Sequence, residues 1–141
     1  MRGAVERTVA EFIPALPEDV RAYYVDLGNL AAVHPLIESV TRISATTYRI
    51  KDLVPLGFLK VPVTYTAVMD VPSHGPVTSK AIQFPRVRLS ALVSFDAADG
   101  GTDLVERLTI AAPRLLLGLT VRRAVAAHTE MLAGIRRAFE A

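Results

Sequence analysis

Five polar side chains fall where strand alternation or helix period directs them into apolar surroundings: Tyr48, Asp52, Tyr65, Glu106 and His128. Their types suit acid–base work. Removing a proton beside a carbonyl takes a base that is neutral near physiological pH, a carboxylate to orient it and a donor for the enolate oxygen. His128, Glu106 and Tyr65 fit those three roles in turn. The five, with Met69, Leu89, Val93 and Leu132 on the same faces, also suit the wall of a ligand pocket, which is mostly apolar with a few placed polar groups. Plainer readings stand beside these. His128 can be a hydrogen-bonded core histidine. Glu106 can pair with an arginine across the sheet or be turned outward by a bulge. Tyr48 and Tyr65 can bury their rings and find hydroxyl partners in the core. Asp52, near a strand end, can belong to a turn. A slip of one residue would move every strand residue to the opposite face.

Other chemistries lack their residues. There is no cysteine, which excludes disulfides, thiol catalysis and Cys-ligated zinc and suits a reducing compartment. His34 and His74 lie outside the inward set: His34 is expected to fix a helix end, and His74 stands in a Gly/Pro turn. The three histidines show no HxH or HExxH spacing, so no metal is expected. No phosphate-cradling glycine loop, serine nucleophile elbow or dinucleotide fingerprint occurs, and no cofactor is expected.

These residues need elements to position them. Leu117, Val121, Val125, His128, Leu132, Ile135 and Phe139 recur at steps of three and four, so Arg114 to Ala141 reads as one amphipathic helix with His128 on its apolar face. Glu6 to Ile13 reads as a strand stopped by Pro14. Pro17-Glu18-Asp19 opens a helix with Val20, Tyr23, Tyr24 and Leu27 as its apolar stripe, ended by Gly28. A second short helix, about Asn29 to Val33, stops at His34-Pro35. Strands follow over Ile37–Ser44, Tyr48–Val54, Val61–Val71, Val77–Phe84 (with Pro85 as a break), Val87–Phe95 and Thr102–Ala111, the last two joined by a turn at Asp99-Gly100-Gly101. The segment Leu53 to Leu59 is apolar where a strand connection is usually polar. It is expected either to fold onto the core as a loop or, through Leu56 and Phe58, to act as a pocket gate, a dimer contact or a surface that touches membrane.

The chain of 141 residues has the length of one domain, 1–141, with enough apolar material for a core. Its formal charge of +2 and its mixed helix charges do not make the dense basic stripe of a nucleic-acid module. Hydrophobic residues make up 51% and aromatics only 6%, which suits an interior lined by Val, Leu, Ile and Ala. The first residues lack the apolar run of a signal peptide, and Ile110 to Val121 is too short and too broken to span a bilayer. A cytoplasmic protein without stable membrane insertion is expected.

The order of elements resembles the START-like helix-grip superfamily (SRPBCC), which includes polyketide cyclase/dehydrase, lipid-transport and plant pollen-allergen proteins. The resemblance rests on the opening strand Val5-Glu6-Arg7-Thr8-Val9-Ala10-Glu11-Phe12, on Pro17-Glu18-Asp19-Val20 and on Asn29-Leu30-Ala31-Ala32-Val33-His34-Pro35. It ends with the Gly101-Thr102 strand start that runs into the last helix. These carriers are architectural rather than catalytic. The resemblance implies an α+β helix-grip fold: a curved antiparallel sheet wrapped around the long C-terminal helix, two short helices after the first strand, and a pocket between sheet and helix. It implies binding of a small hydrophobic molecule, lipid-like or polyketide-like. The alternatives are a cyclase or dehydrase using His128 with Glu106 or Tyr65, and an interaction or homodimerising module with a filled core. His128 and Glu106 in hydrogen-bond reach around an open space would favour chemistry, an open but unconnected set binding, and a closed interior interaction.

Overall fold

The computed structural model describes residues 2–83 and 86–140. The elements are β1 (Arg2–Ile13), α1 (Pro17–Tyr24), α2 (Leu27–Val33), β2 (Ile37–Arg42), β3 (Thr47–Leu56), β4 (Leu59–Asp70), β5 (Val77–Gln83), β6 (Val87–Ala98), β7 (Gly101–Pro113) and α3 (Arg114–Glu140). The seven strands form one antiparallel sheet in the order β1-β7-β6-β5-β4-β3-β2. The chain lays down one edge, crosses through α1 and α2 to the other edge, and returns by hairpins until β7 pairs with β1. This is the α+β helix-grip arrangement. The expected strand end at Phe84 and break at Pro85, and the helix end at Ala141, lie outside the described residues. No helix among the described residues is long and apolar enough to cross a membrane.

Strand alternation places the core. Met69 and Ala67 of β4, Val87, Ala91 and Val93 of β6, and Leu104, Leu108 and Ile110 of β7 are buried. They share the concave face with α3, whose Val121, Met131, Leu132 and Ile135 are buried in turn. α3 packs on β1 and β7, and on α2 near its C-terminal end. That last approach is close: a Cβ on Gly134 would lie 2.8 Å from Cβ of Val33.

Strand ends shift by a few residues from the sequence reading (β1 begins at Arg2 rather than Glu6), and two regions differ in kind. The first helix ends at Tyr24, not Gly28, and Leu27 opens the second helix rather than completing the first. Asp26 is the cause: its backbone is extended and its side chain accepts from the Gly28 N–H at 2.9 Å, capping a new helix. The apolar segment Leu53 to Leu59 is not a loop. β3 and β4 continue through it to the pair Leu56 and Leu59, closed by a two-residue turn in which Gly57 supplies a φ of 63°. Phe58 in that turn is 96% exposed, so it does not fold onto the core.

Candidate functional site

The site grows from one carboxylate. Glu106 lies mid-strand in β7, between Val9 of β1 and Val93 of β6, with no exposed surface. A carboxylate among valines costs several kcal/mol unless it is hydrogen-bonded, roughly the size of a domain's margin of stability. Two helices supply the bonds. The Tyr24 hydroxyl, at the end of α1, donates to Oε2. His128 Nδ1, in the middle of α3, lies 2.8 Å from Oε1. Burial, then the charge and hydrogen bond of Glu106, push the Tyr24 phenol well above its ordinary range, so it remains a donor. Burial pulls the His128 imidazole down, but the charge and hydrogen bond of Glu106, aided by the charge of Asp52, outweigh it and hold His128 above its ordinary value. When protonated, the imidazole donates Nδ1–H to Glu106 and directs Nε2–H away from it.

His34 stands edge-on to His128, with ring centroids 5.6 Å apart and planes at 85°. Its Nδ1 accepts from the Leu36 N–H at 3.1 Å, so its own proton sits on Nε2. Burial, then the charge of His128, lowers His34 to about 3. Of the pair, His128 therefore holds a proton more tightly, and His34 less tightly, than a free imidazole. Asp52 and Tyr65 are diagonal neighbours on β3 and β4, and the Tyr65 hydroxyl donates to Asp52 Oδ1 at 3.2 Å. Burial raises Asp52 to about 6 against the opposing pull of the Tyr65 hydrogen bond and the His128 charge. Burial and Asp52 together push Tyr65 up.

These groups surround open space. α3 lies over β1 and β7, which leaves the concave face of β3 to β6 only partly covered. Two hollows adjoin there. The inner one, of about 90 Å³, is walled by Tyr24, Leu27, Leu30, Ile50, Met69 and Ala91. The outer one, of about 280 Å³, is walled by Asp52, Val54, Val63, Val87, Leu116 and Thr120. His34, Tyr65, Ala81, Leu89 and His128 border both and form the waist between them.

The residues singled out in the sequence divide accordingly. His128, Tyr65 and Leu89 stand at the waist, Met69 on the inner wall and Asp52 on the outer wall. Glu106 lies behind His128 and reaches the cavity through it. Val93, 0% exposed, and Leu132, 1%, are packed within the core rather than on the cavity wall. Tyr48 is partly buried and packs against the core. Phe58 projects into solvent, and the side chain of Leu56 lies outside the described residues. Sequence reasoning misses two members. Tyr24 reads there only as part of an apolar stripe, and its partner is 82 residues away. His34 falls outside the inward set in the sequence; it does fix the end of α2, but its ring also borders the cavity. The only signal for it is a histidine before a proline at the end of a helix that must face α3. Among the described residues no group of three His, Asp or Glu side chains is arranged to hold a metal ion.

No family model matches the chain, and no curated protein matches it in sequence. Solved structures match it along nearly the whole length. TTHA0849 from Thermus thermophilus superposes with a TM-score of 0.75 at 19% identity, covering 94% of this chain and 95% of that one. The ZhuI aromatase/cyclase from Streptomyces sp. R1128 gives 0.69 at 17%, covering 97% and 95%. Ara h 8.0201 gives 0.70 at 14%, covering 97% and 98%. The chain has the helix-grip fold that these structures share. At these identities the likeness establishes the fold, and the chemistry must be argued from this chain's own side chains.

Proposed function

We propose that the chain binds a small apolar molecule carrying a hydrogen-bond-accepting oxygen, seated between the sheet and α3 with that oxygen on His128. One observation carries this reading: an imidazole whose protonated form is favoured by Glu106, itself held by Tyr24, borders the waist of an apolar-walled cavity, where its Nε2–H can serve as a donor. Such a donor fits a carbonyl, phenol or carboxylate oxygen, and the walls fit an aromatic or aliphatic body.

The test is titration with the fluorescent aromatic anion 1-anilinonaphthalene-8-sulfonate, paired with native mass spectrometry of the freshly purified protein. Wild type should bind the dye saturably. Ala81→Phe, which fills the waist, should abolish binding while the circular dichroism spectrum stays native. An equal response from the folded Ala81→Phe protein would place the dye elsewhere and sink the reading.

The contact of 2.8 Å between His128 and Glu106 beside open space favours a second reading, acid–base chemistry on the bound molecule. The roles differ from those the sequence suggested. His128, whose proton Glu106 helps to hold, serves as the electrophile rather than the base. Asp52, at about 6, is ionised at neutral pH yet basic enough to take a proton from carbon. The C–H bond beside the carbonyl breaks, its proton moves to Asp52, and the enolate oxygen is held by His128 Nε2–H. Deuterium exchange into an aryl ketone, followed by NMR, should fall at least about a hundredfold in Asp52→Asn. Equal exchange by both proteins would remove Asp52 as the base.

A further inference from the structure

The outer hollow opens at one end of the sheet, and the strand register shows what gathers there. Pro113 ends β7 at that end, Val87 starts β6, Gln83 ends β5, and the turn at Gly57 and Phe58 joins β3 to β4. α3 begins at the same end. Large apolar side chains face solvent around this mouth: Phe58 is 96% exposed, Leu59 56%, Leu115 99% and Leu119 40%. α3 contributes two sets of residues here. Leu115 and Arg122 are exposed on its outer face, Leu116, Thr120 and Arg123 border the hollow, and Leu119, 40% exposed, stands at the rim and lines the hollow as well. Arg123 Nη2 donates to the Pro55 carbonyl at 3.2 Å, tying the hairpin to the helix as one platform.

Charge is polarised along the same axis. Lys60, Arg86, Arg88, Arg114 and Arg122 are exposed at the mouth end. The sequence holds no Asp or Glu in 53–63, 77–95 or 107–129, the parts of β3 to β7 and of α3 that build this end. Of the exposed acids, Glu18, Asp19, Asp70, Asp96, Asp99 and Asp103 belong to the other end, and Glu6 lies on β1 four residues from its start at this end. Glu38, at the sheet edge, is paired with Lys51 at 3.3 Å. An apolar rim set in cations matches the interface of a membrane whose headgroups are negative: Phe and Leu enter the boundary between headgroup and acyl chain, and Lys and Arg meet phosphate. A second copy of the chain fits poorly, because a two-fold contact would bring the two cationic rims face to face.

We propose that this mouth docks reversibly on the surface of an anionic phospholipid bilayer, with Phe58, Leu59, Leu115 and Leu119 in the interface and the cations on lipid phosphates. The docked pose turns the open end of the cavity toward the acyl region, so an apolar molecule passes between bilayer and cavity without crossing water. The surface stands on exposure and charge alone, and holds whether or not the cavity does chemistry.

The experiment is vesicle flotation of the full chain at low salt, with phosphatidylcholine alone and with phosphatidylglycerol added. Wild type should float with the anionic vesicles, stay behind with the neutral ones, and be released by salt. Arg114→Glu with Arg122→Glu should weaken binding by at least about tenfold, at roughly fivefold per cation near the surface. Phe58→Ser with Leu115→Ser should weaken it about tenfold; both side chains are almost fully exposed, so the fold should be retained, as a circular dichroism melt can verify. The natural sequence has no tryptophan, so Phe58→Trp adds a direct reporter whose emission should shift to the blue on anionic vesicles. No flotation at low salt would overturn the proposal. So would full retention by the Phe58→Ser, Leu115→Ser variant, which would leave only diffuse charge attraction. A wild-type dimer abolished by that variant would assign the surface to a second copy instead.

Discussion

Asp52→Asn should make the protein more stable at neutral pH and less functional. Asp52 is 6% exposed on the cavity wall, and burial raises it from 3.8 to about 6. The folded state therefore holds the Asp52 proton more tightly than the unfolded chain does. Above about pH 6 the carboxylate is ionised in both states, and the folded state bears the full cost. A shift of roughly two units at about 1.4 kcal/mol each makes that cost about 3 kcal/mol. It disappears as the pH falls through about 6 toward 3.8, where the folded protein carries Asp52 protonated. An asparagine keeps the shape, can still accept from the Tyr65 hydroxyl, and brings no charge. For a chain of this length the gain is a melting temperature higher by about 10 °C. Calorimetry of both proteins from about pH 4 to about pH 8 should show a gap that is widest at the alkaline end and closes on acidification. A variant that melts at or below wild type at neutral pH, or a gap that does not change with pH, would refute the reasoning that Asp52 is a costly buried charge.

Glu106→Gln keeps the volume of the side chain but removes its charge, leaving burial to dominate at His128. The imidazole should then titrate below 6.5 by NMR where wild type titrates above it, and a midpoint that stays high would show that Glu106 does not hold the charge. In wild type His128 lends stability that is complete below 6.5 and fades as the pH rises through its higher folded value; in Glu106→Gln that dependence should reverse. Gly134→Ala puts a Cβ 2.8 Å from Cβ of Val33 and should cost about 1–3 kcal/mol, largely recovered by adding Val33→Ala; an unchanged melt in the single variant would mean α2 and α3 are not so close. Binding of the aromatic anion should weaken as the pH rises from about 5 to about 8, because an apolar anionic guest raises Asp52 further and takes up a proton. In Asp52→Asn that slope should flatten, and an identical slope in both proteins would exclude Asp52 as its source.

The strands were legible because alternation is a local signal. Val87, Leu89, Ala91 and Val93 on β6, and Leu104, Glu106 and Leu108 on β7, read inward in the sequence and face inward in the structure. The stripe of α3 was legible for the same reason, and it put His128 on the inner side. Two kinds of feature were not. Tyr24 meeting Glu106 is a contact between α1 and β7, fixed only when the crossover from β1 is folded back over the sheet. The role of His128 also depends on tertiary structure. A histidine is a base by its free-solution value, and becomes a charged donor only beside a buried carboxylate. The hairpin tip shows a third limit. Apolar residues from Leu53 to Leu59 suggested either burial or a functional surface, and composition alone could not reveal that Gly57 would turn the chain tightly enough to leave Phe58 in solvent.

The distribution of charge in the cavity separates structure from function. Glu106 and His128 neutralise each other, and with Tyr24 they leave no carboxylate oxygen of Glu106 without a partner. Such a pair can be buried at modest net cost and needs no ligand to justify it. Asp52 is different. Its partners are one tyrosine hydroxyl and a cation already committed to another carboxylate, and they fail to offset its burial. A side chain without charge at this position would stabilise the empty protein, so the aspartate is explained by what enters the cavity rather than by the fold. A guest with an O–H near Asp52 would satisfy it by hydrogen bonding, which is binding. A guest with an acidic C–H there would lose a proton to it, which is chemistry. The two readings share His128 as the anchor for a guest oxygen and differ in which atom of the guest meets Asp52.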